Sequence, residues 1–130
     1  MNKLNIKNYA HLGDALWEVF IRERTVFMTG NLPRLHKLTV SFVNAKFQSE
    51  MLEKIMPLLT DFEKELAKRG GNIKTSSLRK IDRNLHRLAT EFEVLLGYLY
   101  LHEKNRYNEI LSVIEKDIFK DNYSETSGET

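Results

Sequence analysis

Asp14 and Glu93 are the residues whose type and surroundings could do chemistry in this 130-residue chain. Asp14 follows Gly13 and lies one turn beyond Ala10. Glu93 has Ala89 and Gly97 one turn away on either side, with Thr90 and Leu96 three residues off. Neither has a Lys or Arg at i±3 or i±4, the positions from which a helical neighbour could neutralise it. Both fall in apolar segments, where a carboxylate without a partner is costly unless something else satisfies it. Two such groups on central helices could converge on one divalent cation, and their small neighbours would let two backbones approach. On residues alone a second reading stays open, in which Asp14 accepts backbone hydrogen bonds near a helix start and Glu93 reaches water or a distant arginine. Glu18, one turn past Asp14, has Arg22 at i+4 and reads as a solvated ion pair.

A second chemical feature is a concentration of positive charge. Lys64, Lys68, Arg69, Lys74, Arg79, Lys80, Arg83 and Arg87 face only Glu65 and Asp82 between positions 64 and 87. That stretch carries +6, which leaves −4 for the rest of a chain whose net charge is +2. One basic zone on a mildly acidic body is the footprint of a polyanion binder, although a Lys/Arg-rich linker between helices would look the same. His36 and His86, beside Lys37 and Arg87, read as surface or polyanion contacts rather than acid-base groups. No Ser/His/Asp constellation and no Gly-rich phosphate loop competes.

The elements that must position these groups are helices. Apolar residues recur at three and four throughout, and no alternating strand pattern appears, so the fold class is all-α. A first helix is expected from about Asn8 to Met28, stopping at Thr29-Gly30-Asn31. Pro33 opens a second segment to about Pro57, either one helix or two broken near Asn44. A helix from Thr60 to Lys68 carries a capping box, Thr60 with Glu63, and ends at Gly70-Gly71-Asn72. A long helix spans Leu78 to Leu101 and an amphipathic one Lys104 to Phe119. The first helix and the Leu85 to Leu101 helix are apolar nearly all round, so both belong at the centre or at a subunit interface.

Length suits one domain, residues 1–120, followed by a disordered tail over 121–130. There is no cysteine, hence no disulfide framework and no zinc-thiolate site, which suits a cytoplasmic location. Asp14 and Glu18 interrupt the first apolar run, so neither a signal peptide nor a membrane span is expected.

Four blocks carry a resemblance. Residues 9 to 22, Tyr-Ala-His-Leu-Gly-Asp-Ala-Leu-Trp-Glu-Val-Phe-Ile-Arg, come first; then Leu-His-Lys at 35 to 37 with Asn-Ala-Lys-Phe-Gln at 44 to 48. Lys-Arg-Gly-Gly-Asn-Ile-Lys at 68 to 74 and Ala-Thr-Glu-Phe-Glu-Val-Leu-Leu-Gly-Tyr-Leu-Tyr-Leu at 89 to 101 complete the series. In order and spacing they resemble Mini-ribonuclease III, the short bacterial relatives of ribonuclease III, over about residues 9 to 101.

The resemblance implies a ribonuclease III-like helical bundle and a double-stranded-RNA endonuclease that uses Mg²⁺, with Mn²⁺ as a substitute. By position, Asp14 looks like the catalytic aspartate and Glu93 like the metal-binding glutamate. Larger ribonuclease III enzymes have further acidic residues where this chain has Ala10 and Thr90, so a sparser metal site is expected. The resemblance also implies a homodimer and a role in maturing the large-subunit (23S) ribosomal RNA precursor. Without an appended RNA-binding domain, grip falls to Lys46, Arg69 and Lys74, with Arg79, Lys80 and Arg83 behind them, acting on phosphates and 2′-hydroxyls. Gly71 stands where the family has a second arginine. The competing function is a helical module that binds structured RNA without cutting it.

Overall fold

The computed structural model describes residues 5–73 and 80–119, except for the side chains at 80 and 81. The described residues form six α-helices: α1 (Ile6–Thr25), α2 (Leu32–Val43), α3 (Ala45–Ile55), α4 (Asp61–Gly71), α5 (Lys80–His102) and α6 (Lys104–Ile118). A short 3₁₀ turn, Met56–Leu58, precedes α4, and no strand occurs among the described residues. The expected tail, 121–130, lies outside the described residues.

The helix ends follow from local side-chain chemistry. Asn5 starts α1 by accepting from the Lys7 N–H at 2.9 Å. Asn44 serves two helices at once. Its Oδ1 accepts from the Phe47 N–H at 2.9 Å to open α3, while its Nδ2 donates to the Val40 and Ser41 carbonyls that end α2. The break expected near Asn44 is therefore present. Thr60 and Glu63 form the expected capping box of α4, each side chain accepting from the other's backbone N–H. The first helix departs from expectation. It stops at Thr25, five residues before Gly30, where the buried Thr25 hydroxyl hydrogen-bonds that of Thr39 on α2 at 3.0 Å.

α5 is the central helix, packed against α1, α3 and α4 along its length. Phe92, Val94, Leu95, Leu96 and Leu99 are all buried, so three sides of it face protein. Trp17 of α1 meets Phe92 edge-on with ring centroids 5.1 Å apart and stacks on Phe20 at 5.3 Å. Burying each of these large apolar side chains contributes roughly 2–3 kcal/mol. The Trp17 indole N–H is satisfied by the Phe42 carbonyl at 2.8 Å, which fixes the end of α2 to α1. Only part of the apolar character of the first segment is covered within one chain: Trp17, Phe20 and Ile21 of α1 are buried, whereas Val19 is 55% exposed and Phe27, in the turn after α1, 88%.

Candidate active site

The approach of α1 to α5 is set by two glycines. A Cβ added to Gly13 would collide with the Glu93 carbonyl and lie 2.8 Å from the Glu93 Cα. One turn along, a Cβ on Gly97 would collide with the Tyr9 carbonyl and lie 3.0 Å from the Tyr9 Cα. These reciprocal contacts show that the two helices run antiparallel and touch backbone to backbone, which no residue larger than glycine would permit at 13 or 97. The segment of α1 that carries Asp14 is thereby held against the segment of α5 that carries Glu93.

Asp14 and Glu93 are brought together. The Glu93 carboxyl is half-buried and pushed up to about 8, first by desolvation and then by the hydrogen-bonding contact and the charge of the neighbouring Asp14. Gln48 of α3, itself buried, acts in the opposite direction on the same carboxyl. Asp14 differs from expectation in being exposed. Gly13 and Trp17 make the contact with the core, and Asp14, one residue along from Gly13, falls on the flank. Among the described residues no Lys or Arg pairs with either carboxylate, and no group of three His, Cys, Asp or Glu side chains could hold a metal ion.

Two hard oxygen donors pressed together without a cation suit a divalent metal such as magnesium, which takes few protein carboxylates and keeps waters. The positions acidic in larger enzymes add nothing here. Thr90 is buried and its Oγ1 donates back to the His86 carbonyl at 2.8 Å. Ala10, one turn before Asp14, has no donor to offer.

Three of the cations expected to grip a polyanion, Lys46, Arg69 and Arg83, have described side chains. Arg69, at the exposed end of α4, lies close enough to Tyr9 for its charge to act on that hydroxyl, five residues before Asp14 on α1. Lys46 is exposed on α3, two residues before Gln48. Arg83 is exposed ten residues before Glu93 on α5, about 15 Å along the helix axis. Lys74 and Arg79 lie outside the described residues, as does the side chain of Lys80. His36 and His86 are both exposed, and neither is among the groups that act on Glu93.

Two polar residues that the sequence does not single out, Gln48 and Glu91, are buried in or beside the site. Gln48 falls in the same helical stripe as Leu52 and Ile55, so a polar residue in an apolar stripe was the available signal. Glu91 is buried, and its carboxylate accepts from Arg87 Nη1 at 2.9 Å. Burial pushes the Glu91 carboxyl up, against the opposing pull of Arg87 and Lys68. That carboxylate abuts Gly71, where an added Cβ would collide with it and lie 3.1 Å from the Arg87 side chain. A side chain at position 71 would have to displace the Glu91 and Arg87 side chains from these places.

Comparison with known proteins is consistent across sequence and structure. The ribonuclease III domain model matches residues 7–104. Mini-ribonuclease 3 of Synechocystis sp. is 40% identical over 106 residues, which span 82% of this chain and 74% of that protein. Mini-ribonuclease 3 of Gloeobacter violaceus is 36% identical over 116 residues, 89% of this chain and 86% of that protein. The Enterococcus faecalis protein of the same name is 34% identical over 125 residues, covering 92% and 95%. A crystal structure of a Fusobacterium nucleatum protein superposes with a TM-score of 0.73 at 35% identity, covering 84% of this chain and 89% of that one.

Proposed function

From the premise that the chain belongs to the ribonuclease III family, in its short Mini-ribonuclease III branch, we propose that it is a magnesium-dependent endoribonuclease that hydrolyses phosphodiester bonds in double-stranded RNA. The observation that carries the reading is the meeting of Asp14 and Glu93 where Gly13 lets α1 touch α5. In it Asp14 and Glu93 would hold Mg²⁺, or Mn²⁺ in its place. When bound, the ion supplies charge neutralisation at the scissile phosphate and a polarised water for in-line attack.

The remaining steps belong to the chain's own residues. Gly13 and Gly97 fix the distance between the two helices, so the carboxylates are in place before substrate arrives. Gln48 acts on the Glu93 carboxyl and favours its ionised, ligating form. Lys46, Arg69, Lys74, Arg79, Lys80 and Arg83 take the duplex by its phosphates, a mode of recognition that reads A-form shape rather than sequence.

The proposed working form is a homodimer with one site per subunit, each cutting one strand. Exposed Val19 on α1, Val26 and Phe27 in the turn after it and Leu32 at the start of α2 support it as apolar side chains of the kind that mark an interface. The proposed substrate is the large-subunit (23S) ribosomal RNA precursor, in the cytoplasm; among the described residues no helix is long and apolar enough to cross a membrane.

Purified protein incubated with labelled duplex RNA tests the activity. Cleavage is expected with Mg²⁺, none in EDTA, and none from Asp14→Asn. If the wild type holds duplex without cutting it in Mg²⁺, the enzyme reading fails and the RNA-binding module takes its place. Precursor 23S RNA should accumulate with untrimmed ends in a strain lacking the protein, and normal ends would remove that substrate.

A further inference from the structure

Arg87 stands outside the set of cations assigned above, yet its side chain is held by two hydrogen bonds. Its guanidinium donates through Nη1 to Glu91 Oε2 at 2.9 Å and through Nη2 to Asn84 Oδ1 at 2.8 Å. The two partners are one turn away in opposite directions on α5, so the planar fork is held from both ends. Burial divides the pair unequally: the Glu91 side chain is 8% exposed and that of Arg87 47%. The acid is thus the hidden anchor and the cation is the outward face.

The anchor has room because Gly71 contributes no side chain. The Glu91 carboxyl carbon would lie 3.0 Å from a Cβ at position 71, so the carboxylate rests on the bare α4 terminus. Lys68, one turn back on α4, also acts on Glu91, which leaves the cluster of Arg87, Lys68 and Glu91 with a net positive charge. Arg83 continues the same cationic stripe one turn earlier on α5, and Arg87 lies six residues before Glu93, about 9 Å along the axis. Two of the five guanidinium donors make these bonds and the side chain is 47% exposed.

We propose that Arg87, braced by Glu91 and Asn84 in the space left by Gly71, is a phosphate-binding residue for the RNA duplex, and that Glu91 is its positioning residue. A braced arginine loses less side-chain freedom on binding than a free one, so the fold has already ordered this contact. Arg87 adds a cation one turn beyond Arg83 on α5, on the side that faces the end of α4. The inference rests on duplex RNA being the substrate.

The experiment measures binding of a synthetic, fully paired RNA duplex in EDTA, where metal-dependent cleavage is absent, across a series of KCl concentrations. Each phosphate contact adds to the slope of log affinity against log salt, and losing one lowers that slope by about 1. Arg87→Gln should show that loss together with weaker binding at every salt. Arg87→Gln/Glu91→Gln, which leaves no unpaired buried charge, should lose the same slope with the helical fold intact. Arg87→Lys should keep the slope and bind more weakly, since an ammonium cannot bridge Glu91 and Asn84 as a fork does. An unchanged slope in both glutamine variants, with normal wild-type binding, overturns the role of Arg87 alone. A wild type that does not bind the duplex overturns the proposed substrate as well.

Discussion

The Cα of Gly13 lies directly against the backbone of Glu93, so the spacing of the two carboxylates proposed as metal ligands depends on a missing methyl group. Gly97 repeats the arrangement against Tyr9 one turn away. Gly13→Ala should therefore cost about 3 kcal/mol, since the clash is with backbone that cannot rotate aside. It should also abolish cleavage by separating Asp14 from Glu93. Gly97→Ala should cost a similar amount of stability while losing less activity, because its clash lies a turn from the pair. Gly30→Ala, with nothing within 4 Å, should be neutral or stabilising by about 0.5 kcal/mol. Urea unfolding together with duplex cleavage checks all three, and equal loss of activity at 13 and 97 would count against a local effect.

Bound metal should be visible in stability as well as in turnover. Mg²⁺ that binds the folded chain and not the unfolded one raises the melting temperature in proportion to the logarithm of its concentration. Wild type should show this rise, and Glu93→Gln and Asp14→Asn should not. Glu93→Gln should itself melt higher than wild type in EDTA, since burial and Asp14 both oppose a charge at that position. A variant that tracks wild type across the Mg²⁺ series removes Glu93 from the ligand set.

Much of this was legible in the residues. Helical spacing, the capping box at Thr60 and the break at Asn44 are local effects, decided by side chains within four residues of one another. The unpaired state of Asp14 and Glu93 could be read from the absence of cations at i±3 and i±4. Their relative exposure could not. A helical wheel treats Asp14 as part of an apolar segment, but the α1–α5 register turns Gly13 inward and Asp14 onto the flank, and that register is a long-range property. Gln48 was hidden for the same reason, since its stripe with Leu52 and Ile55 reads as core until α5 supplies Glu93. Glu91 and Arg87 were legible as an i, i+4 pair; what α4 adds is Gly71, which makes the pair a buried brace.

Glu63 ties the start of α4 to α6, and its pH dependence has a definite sign. Its carboxylate accepts two bonds from Arg106, at 2.9 Å each, besides capping α4. The Arg106 guanidinium holds the carboxyl below the value of 4.5 it has when unfolded. A group with a depressed folded pKa contributes stability above its unfolded pKa, and that contribution is lost as pH falls through the folded value. Arg106→Gln leaves Glu63 buried and unpaired, so it should cost about 3 kcal/mol at pH 7. The gap between variant and wild type in urea midpoints should close progressively below about pH 4.5. A gap that persists unchanged to pH 2 would mean that Arg106 acts through packing alone.

Apolar side chains are exposed from α1 to the start of α2. Phe27 is 88% and Leu32 74% exposed in the single chain and Val19 and Val26 are exposed too, while Trp17, Phe20 and Ile21 of α1 are buried. Covering such side chains is favourable, and in the proposed homodimer a second copy would present the matching surface through a two-fold axis. Phe27→Glu and Val19→Glu should leave the helical content unchanged, because neither side chain contributes to the core. Light scattering should report twice the chain mass for wild type and the monomer mass for the double variant. The double variant should also lose duplex cleavage, as each subunit is proposed to cut one strand. A double variant that stays dimeric would move the interface elsewhere on the molecule, and a wild type of monomer mass would remove the dimer.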